Sequence, residues 1–192
     1  MPSIPDLGPK PLLGYTASIL SRAAERRNDE NFLKAAMADK RCGVFAVGGE
    51  LVVMRRTANG ADPLFAPDEA RALATANETV FLGTVAGAAR FGIALDPEAT
   101  KTLKERSDLI VTDLRTIAVQ GLTGPDHLAP LAEAKALLAW HARHRFCSNC
   151  GTKTNMVQAG WKRECPNCKV EHSRFQPACT MLVFVPQFEQ KR

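Results

Sequence analysis

Two matched pairs of cysteines near the C-terminal end constrain this chain more than any other feature. Cys147 and Cys150 form one Cys-x-x-Cys pair, and Cys165 and Cys168 form a second pair, with 14 residues between the two. Each pair places two sulfurs on one tight turn, and two facing turns close a tetrahedral site of four thiolates around Zn²⁺. Gly151 suits the exit from the first turn, because glycine adopts left-handed backbone angles cheaply. The spacing therefore predicts a zinc ribbon with a structural zinc ion.

Other roles for these cysteines are disfavoured by the same sequence. Two disulfides are not expected, because no signal peptide opens the chain and cytosolic thiols stay reduced. Redox sites of the thioredoxin type use one Cys-x-x-Cys pair near a βαβ unit, whereas this chain has two matched pairs. Cys42 and Cys179 lie outside the pairs, and each is predicted to be a small buried hydrophobe.

The composition is that of an ordinary globular protein. Apolar residues make up 45% and charged residues 23% of the 192 positions, both close to the usual values. No run is long enough to span a bilayer, and the proline-broken segment 1–13 does not have the pattern of a signal peptide. We therefore expect a cytoplasmic protein without a membrane partner. The formal charge of +5 falls to about +3 when four thiolates bind Zn²⁺, which by itself is too mild to indicate nucleic acid binding.

Hydrophobic periodicity divides the chain before the cysteines into strand pairs and helices. The runs 44–47 and 51–54 flank Gly48-Gly49 and predict a β-hairpin, and the runs 80–85 and 90–95 around Gly87 predict another. Helices are predicted at 18–27, 29–40, 68–76, 96–106 and 128–145. Residues 59–67 are predicted to be a loop, and residues 113–122 fit either a helix or a strand.

These elements indicate an α+β protein in which a small N-terminal domain of antiparallel hairpins and helices is followed by a zinc ribbon. The predicted boundaries are an extended leader at 1–14, the α+β domain at 15–126, a connecting helix at 127–145, the ribbon at 146–177 and a terminal stub at 178–192. The stub contains the apolar run 180–185. Because this run fits a strand with an unpaired edge, we expect self-association through it.

A series of short motifs runs through the chain in a fixed order. They are Ser21-Arg22-Ala23-Ala24-Glu25-Arg26-Arg27-Asn28-Asp29, Phe81-Leu82-Gly83, Leu114-Arg115, Gln120-Gly121-Leu122, Ala139-Trp140-His141 to Cys150-Gly151, and Gly160-Trp161-Lys162-Arg163-Glu164-Cys165-Pro166. In this order they resemble the bacterial NADH pyrophosphatases of the Nudix superfamily, over nearly all of residues 15–172. The resemblance implies a homodimeric hydrolase that cleaves NAD(H) to nicotinamide mononucleotide and AMP; some members also remove NAD caps from RNA. It also implies that a C-terminal Nudix domain, placed after the ribbon, performs the chemistry.

The catalytic signature of that Nudix domain is missing from the sequence. In the family, Arg-Glu and a following Glu-Glu pair on one helix hold the Mg²⁺ or Mn²⁺ ions that activate water. Arg163-Glu164 is the only Arg-Glu here and lies inside the ribbon, and no Glu-Glu occurs. Residues 179–185 resemble only the first strand of the missing domain, and Ser173 replaces an aromatic residue that the family places beside the nucleotide. We therefore expect a truncated, catalytically inactive form with no catalytic residues and no assigned NAD(H)-binding residue.

The histidines do not indicate a second metal or catalytic site. His141 and His144 lie close to Cys147 in sequence, but four thiolates already complete a zinc site, so exposed positions that stabilise the helix dipole are the simpler prediction. His127 follows Gly124-Pro125 and is predicted to face solvent. His172 has the spacing to replace a cysteine ligand, although nothing requires it.

The basic residues suggest two kinds of surface. The cluster Arg22, Arg26 and Arg27 and the pair Arg55-Arg56 are predicted to be solvated faces, because no glycine-rich phosphate loop accompanies them. Lys162-Arg163 beside Trp161 is the best indication of nucleic acid binding. The simpler interpretation is that Trp161 covers the zinc turns as a miniature core.

Two functions are consistent with the sequence. The first is the non-catalytic N-terminal and zinc-ribbon portion of an NADH-pyrophosphatase-like hydrolase, with a contact to NAD(H) implied only by the resemblance. The second is a free-standing zinc-ribbon module that binds a protein or a nucleic acid.

Overall fold

The computed structural model describes residues 18–58 and 60–173. The helices are α1 (Glu30–Ala38), α2 (Pro67–Leu73), α3 (Pro97–Thr102), α4 (Leu114–Gln120) and α5 (Pro125–Arg143). The strands are β1 (Gly43–Gly48), β2 (Leu51–Thr57), β3 (Gly60–Asp62), β4 (Leu64–Phe65), β5 (Ala76–Val85), β6 (Ala88–Leu95), β7 (Leu109–Asp113), β8 (Asn155–Val157), β9 (Lys162–Glu164) and β10 (Glu171–Ser173). The predicted leader at 1–14 and stub at 178–192, which includes Cys179, lie outside the described residues.

A mixed sheet forms the centre of the structure before the ribbon. Its strands run in the order β3-β2-β1-β6-β5, with β4 also paired to β1 and β7 to β2. Both predicted hairpins are confirmed: β1–β2 closes at Gly48 and Leu51, and β5–β6 closes at Val85 and Ala88. Strands β1 and β6 are parallel, which the sequence did not predict because no local turn joins them.

Strand β1 shows why helices cover both faces of this sheet. Its burial is continuous from Gly43 to Gly48, as expected for an apolar run in a strand that packs on both sides. Val44 faces a core cluster that includes Phe32 of α1, whereas Phe45 faces a second cluster that includes Leu131 of α5. The structure therefore mixes helices and strands in three layers, and the predicted combination of antiparallel hairpins and helices is confirmed.

Helix α5 forms most of one outer layer. Leu131 and Leu138 are buried against the sheet, and Gly92 of β6 lets the helix come close, since a Cβ there would lie 3.0 Å from the Ala134 Cβ. The sequence predicted a connecting helix at 127–145. In the structure, α5 precedes the ribbon in the chain, and its apolar face also covers β1, β5 and β6.

Aspartate caps set the starts of two helices. Asp29 accepts a hydrogen bond from the Phe32 backbone N–H at 2.9 Å, so its predicted capping role is confirmed. Asp113 accepts from the Thr116 N–H at 3.0 Å and so ends β7 and begins α4. The ambiguous segment 113–122 is therefore mainly helical.

Two local predictions are wrong. The predicted helix at 18–27 does not form; Ser21 pairs with Thr84 at the edge of β5, and only Ala24–Arg26 make a short 3₁₀ turn. The predicted loop at 59–67 contains β3 and β4. In both places, pairing to the central sheet overrides the local preference of the sequence.

The cysteine-containing segment adds a small antiparallel sheet in the order β10-β9-β8. A 3₁₀ turn at Gln158–Gly160, between β8 and β9, contacts β5 of the central sheet. Within the described ranges, no helix is long and apolar enough to cross a membrane.

Candidate metal centre and the seam that holds it

The four cysteines predicted as ligands converge on one point. The Sγ atoms of Cys147, Cys150, Cys165 and Cys168 all lie within 4.8 Å of one another. Cys150 Sγ lies 3.4 Å from Cys165 Sγ and 3.5 Å from Cys168 Sγ. Sulfurs placed about 2.3 Å from a tetrahedral Zn²⁺ are about 3.8 Å apart, so the cluster has nearly the dimensions of a zinc tetrathiolate. A disulfide requires an S–S distance of about 2.05 Å, and these separations exclude one.

The two turns that carry the sulfurs have the same backbone design. In the first, the Gly151 N–H donates to the Cys147 carbonyl at 2.9 Å; in the second, the Lys169 N–H donates to the Cys165 carbonyl at 3.1 Å. Gly151 takes the left-handed conformation expected of it, with φ of 73°. Lys169 takes the same conformation with φ of 59°, at the energetic cost that a side chain imposes there.

Hydrogen bonds prepare part of the centre for metal. Thr152 hydrogen-bonds the Cys150 sulfur and lowers the pKa of that thiol to about 5. The backbone N–H of Val170 lowers the pKa of Cys168. At Cys165 the backbone N–H of Cys168 favours the thiolate, but burial and the neighbouring sulfurs outweigh it and raise the pKa to about 11. A metal ion must therefore displace a proton at Cys165, which makes its affinity depend on pH.

The ribbon is fixed to the central sheet along a tight seam formed by Gly160 and Trp161. A Cβ on Gly160 would lie 2.4 Å from Val80 Cγ1 of β5, so only glycine permits this approach. The Trp161 side chain is 7% exposed and packs in the same core cluster as α5, and its indole N–H donates to the Phe81 carbonyl at 2.6 Å. Trp161 therefore does not serve as a cap on the zinc turns alone, as the sequence suggested; it anchors the ribbon to the sheet.

Arg163 of β9 is the centre of a buried polar network across this seam. Its Nε donates to Thr154 Oγ1 at 2.7 Å, and its Nη2 donates to the Thr154 carbonyl at 3.0 Å. Its Nη1 donates to Glu78 Oε1 of β5 at 3.1 Å and to His141 Nδ1 of α5 at 3.0 Å. Ribbon, sheet and helix thus meet at one guanidinium, and neither Arg163 nor Trp161 is available to contact nucleic acid.

His141 is a neutral structural residue and not the exposed one that the sequence predicted. Because its Nδ1 accepts from Arg163, its Nε2 carries the hydrogen and donates to the Gly160 carbonyl at 2.7 Å. The side chain is fully buried, and this burial lowers the pKa of His141. The neighbouring Arg163 cation further disfavours protonation, so the imidazole is held in its neutral form.

The other histidines also lie apart from the sulfurs. His144 is exposed, as predicted, and stacks on Trp140 with ring centroids 4.9 Å apart. His127 was predicted to face solvent, but it lies half-buried in the first turn of α5, against the Phe45 ring. His172 pairs with Arg163 in the ribbon sheet. Among the residues that the structure describes, no histidine joins the four-cysteine cluster.

The predicted solvated arginine faces are confirmed for Arg22, Arg26 and Arg56, which are exposed. Arg27 and Arg55 are only half-exposed, and several of these arginines make specific contacts. Arg27 lies 3.5 Å from the centroid of the Trp161 ring, and burial lowers its pKa. Arg26 lies over the Phe32 ring at 4.9 Å. Arg55 is paired with Asp62 at 2.9 Å and with Glu69 at 3.1 Å. These side chains fasten segments together and are not grouped around a phosphate.

Sequence reasoning missed the seam network. Glu78 and Arg163 lie 85 positions apart in the chain, and no local pattern connects them. One signal was available, since Gly160 immediately precedes the strand-forming segment at 161–164, and a glycine at such a place often marks a close approach of another backbone. Cys42 was assigned correctly: it is buried in the core, and its burial raises its pKa to about 11.

Comparison with known proteins agrees with this arrangement. Residues 31–140 match the family described as the NADH pyrophosphatase-like rudimentary NUDIX domain, and residues 142–172 match the NADH pyrophosphatase zinc ribbon domain. The human NAD-capped RNA hydrolase NUDT12 is 28% identical over 105 residues, which is 50% of this chain and 23% of that protein. Nudix hydrolase 19, chloroplastic, from Arabidopsis thaliana is 35% identical over 82 residues, which is 39% of this chain and 19% of that protein.

A third relative matches a shorter segment. Human NAD(P)H pyrophosphatase NUDT13, mitochondrial, is 43% identical over 54 residues, which is 28% of this chain and 15% of that protein. The chain thus spans less than a quarter of the length of these curated relatives.

Proposed function

Because the chain belongs to the NADH pyrophosphatase-like rudimentary NUDIX family, we propose that it is the non-catalytic portion of such a hydrolase, with a structural zinc ion that stabilises the ribbon. The observation that carries this proposal is the four-sulfur cluster on a ribbon that is fixed to the rudimentary Nudix sheet. Four thiolates fill a tetrahedral zinc site and leave no position open for water or substrate. The metal therefore holds the fold and does not take part in a reaction.

The acidic side chains of the described residues bear on the expected lack of catalysis only through their placement. Pyrophosphate cleavage in the family needs divalent Mg²⁺ or Mn²⁺, and carboxylates must hold these ions. Within residues 18–58 and 60–173, the four cysteines are the only cluster of three or more cysteine, histidine or acidic residues that are close enough to share an ion. Many of the acids that are described already pair with arginine or lysine, as Glu78 does with Arg163.

An activity assay tests the proposal directly. Purified zinc-loaded chain is incubated with NADH and with Mg²⁺ or Mn²⁺, and AMP and reduced nicotinamide mononucleotide are measured by chromatography. A complete NADH pyrophosphatase serves as the positive control, and a mock purification sets the background. We expect no product above that background. Product formation that follows the chain through purification would contradict the proposal.

Two accompanying proposals come from the sequence. Cysteines that bind zinc must stay reduced, which favours a reducing compartment such as the cytoplasm. The apolar run 180–185 is proposed to mediate self-association, so a variant lacking residues 179–192 should sediment as a smaller species than the full chain. Equal sedimentation of the two proteins as monomers would exclude this second role.

A further inference from the structure

An apolar groove lies open between α1 and the ribbon, on the face of the central sheet that α1 covers. Leu33 and Met37 of α1 line it on one side, and Ala159, in the 3₁₀ turn of the ribbon, lines it on another. Phe81 and Phe91 also line the groove and are buried, with ring centroids 5.2 Å apart. The groove has a volume of about 360 Å³, which is large enough to receive a further side chain.

The lining of the groove favours an apolar occupant. Leu33, Met37 and Ala159 are each only partly buried, so an apolar side chain placed among them would remove more apolar surface from water. Thr79 and Lys34 complete the lining. Lys34 already has Glu30 as an ion-pair partner at 3.7 Å. The groove therefore has no feature that favours an anionic ligand.

The described part of the chain ends near this groove. Ser173, the last residue of β10, lies opposite Lys162 of β9, and opposed Cα atoms in such a pair are about 5 Å apart. Because β10 is antiparallel to β9, it runs back toward the residues that precede Lys162, and Ala159 is three positions before it. Three residues span at most about 11 Å, so Ser173 lies within about 16 Å of Ala159.

The turn at Ala159 makes the true separation shorter than this limit. The Trp161 backbone N–H donates to the Gln158 carbonyl at 3.1 Å, so the chain folds back at this point and is not extended. The end of β10 is thus close to the ribbon side of the groove.

The segment that follows Ser173 has the length and the side chain to fill the groove. It is Arg174-Phe175-Gln176-Pro177-Ala178, and it lies outside the described residues. Five extended residues span up to about 18 Å, which is enough to cross from β10 past Ala159. Phe175 is the only aromatic residue of the five and comes two positions after Ser173.

We propose that Phe175 occupies the groove of its own chain, so that residues 174–178 cross from the ribbon to α1. Proximity favours this occupant, because a side chain tethered two residues from Ser173 has a far higher effective concentration than one on another molecule. The ring joins Phe81 and Phe91, and edge-to-face contacts between aromatic rings stabilise such a cluster beyond the area that they bury.

This docking sets the path by which the chain leaves the ribbon. The apolar run 180–185 begins seven residues after Ser173 and remains available for the proposed self-association. The inference goes beyond the proposed function, since it holds whether or not the chain hydrolyses NADH or associates with itself.

Methyl NMR of the zinc-loaded full chain tests the occupant of the groove. Methionine labelled with ¹³C at its methyl group reports on Met37 in the groove and on Met54, which is buried in the other core cluster. Met37→Leu assigns the first resonance. Phe175→Leu keeps apolar bulk but removes the ring current, so we expect it to shift the Met37 resonance and to leave Met54 unchanged. An unshifted Met37 resonance would overturn the proposal.

A matched variant and a dilution series test the other occupants. Phe184→Leu removes a ring from the run 180–185 and should leave the Met37 resonance where it is. A shift with Phe184→Leu and none with Phe175→Leu would assign the groove to the run instead. The Met37 resonance should also be independent of protein concentration. A dependence on concentration would assign the groove to a second copy of the chain, and either result would overturn the proposal.

Urea unfolding at fixed zinc gives a second, independent readout. Phe175→Ala should lower the midpoint by about 0.5 M or more in the parent, because a buried ring is lost. In a Met37→Ala protein the same substitution should lower it by less, since residues in contact are energetically coupled. Equal decreases in the two backgrounds would show that Phe175 does not contact Met37. Each variant is checked for zinc content.

Discussion

Arg163→Met is expected to loosen the ribbon from the central sheet. Methionine has a similar length and can occupy the buried space, but it cannot donate to any of the present partners. The substitution removes the hydrogen bonds to Thr154, to Glu78 at 3.1 Å and to His141 at 3.0 Å. It therefore leaves the Glu78 carboxylate in the seam without its cation.

The size of the effect follows from the burial of the pair. Removing one partner of a buried ion pair typically costs about 3–5 kcal/mol. The Glu78 side chain keeps 19% exposure and can regain some water, which places the expected loss near the lower end, at about 3 kcal/mol. This corresponds to a decrease of roughly 160-fold in the folding equilibrium constant.

A matched control lies next to Arg163 on the same strand. Lys162 pairs with Glu171 at 2.7 Å, but the two side chains are 30% and 55% exposed. Exposed pairs contribute at most about 1 kcal/mol, so Lys162→Met should lower the free energy of unfolding by less than that. The two variants lose the same formal charge and differ mainly in burial.

Urea unfolding at a fixed excess of zinc provides the measurement. Tryptophan fluorescence is a suitable signal, because Trp161 lies in the seam and Trp140 of α5 contacts His141 of the seam network. With a slope of about 1–3 kcal/mol per molar urea, the Arg163→Met midpoint should shift by at least about 1 M. A loss below about 1 kcal/mol, or one equal to that of Lys162→Met, would refute the assignment of Arg163 as the residue that holds the seam.

The contribution of the ion pair itself can be isolated in a second background. Arg163→Met should cost less in a Glu78→Gln protein than in the parent, because no buried carboxylate is then left without a partner. The difference should be about 1–2 kcal/mol, as expected for residues in direct contact. If the losses in the free energy of unfolding of the two substitutions simply added in the double variant, Arg163 would act through Thr154 and His141 alone.

Four further outcomes are expected. The chain should bind one Zn²⁺ by elemental analysis, and Cys165→Ser should lose it; full retention by that variant would exclude the four-cysteine site. Burial lowers the pKa of His141. The free energy of unfolding should therefore keep its full value at neutral pH and decrease as the pH falls from about 6.5, the unfolded pKa, toward the folded pKa. His141→Gln should flatten this loss in urea unfolding at fixed zinc; an unchanged profile would contradict it. Gly160→Ala should lower stability by at least about 2 kcal/mol, because its Cβ would meet Val80 at 2.4 Å; a neutral effect would disprove the close approach. Lys169→Gly should raise stability by up to about 1 kcal/mol by relieving the left-handed strain, and a loss of stability would count against it.

Features with a short-range cause were predictable from the sequence. The spacing of the cysteines determines the zinc turns, because each pair acts within one turn of backbone. Gly49 determines the first hairpin, since the two-residue turn between Gly48 and Leu51 needs a left-handed residue and Gly49 has φ of 61°. Asp29 begins α1 by bonding a backbone N–H only three residues away.

Residue roles at the seam were predicted wrongly for the opposite reason. His141 follows the tryptophan of an amphipathic helix close to its C-terminal end, where an exposed histidine is the reasonable prediction. Its actual environment is set by Arg163 and Gly160, which reach it only after the ribbon folds back on the sheet. Arg27 was likewise predicted to belong to a solvated basic cluster, but its guanidinium carbon lies 3.5 Å from the centroid of the Trp161 ring.

The sequence by itself determined the four cysteines of the candidate metal centre, the hairpins and the main helices, because turn angles, caps and hydrophobic periodicity act over a few residues. The tertiary structure alone decided which polar side chains are buried, that β1 and β6 run parallel, and where the apolar groove beside α1 lies. These features depend on contacts such as Trp161 to Phe81, 80 positions apart. The physical reason is that burial and long-range pairing arise only when separate elements pack together, and local sequence carries little information about which distant partner each will meet.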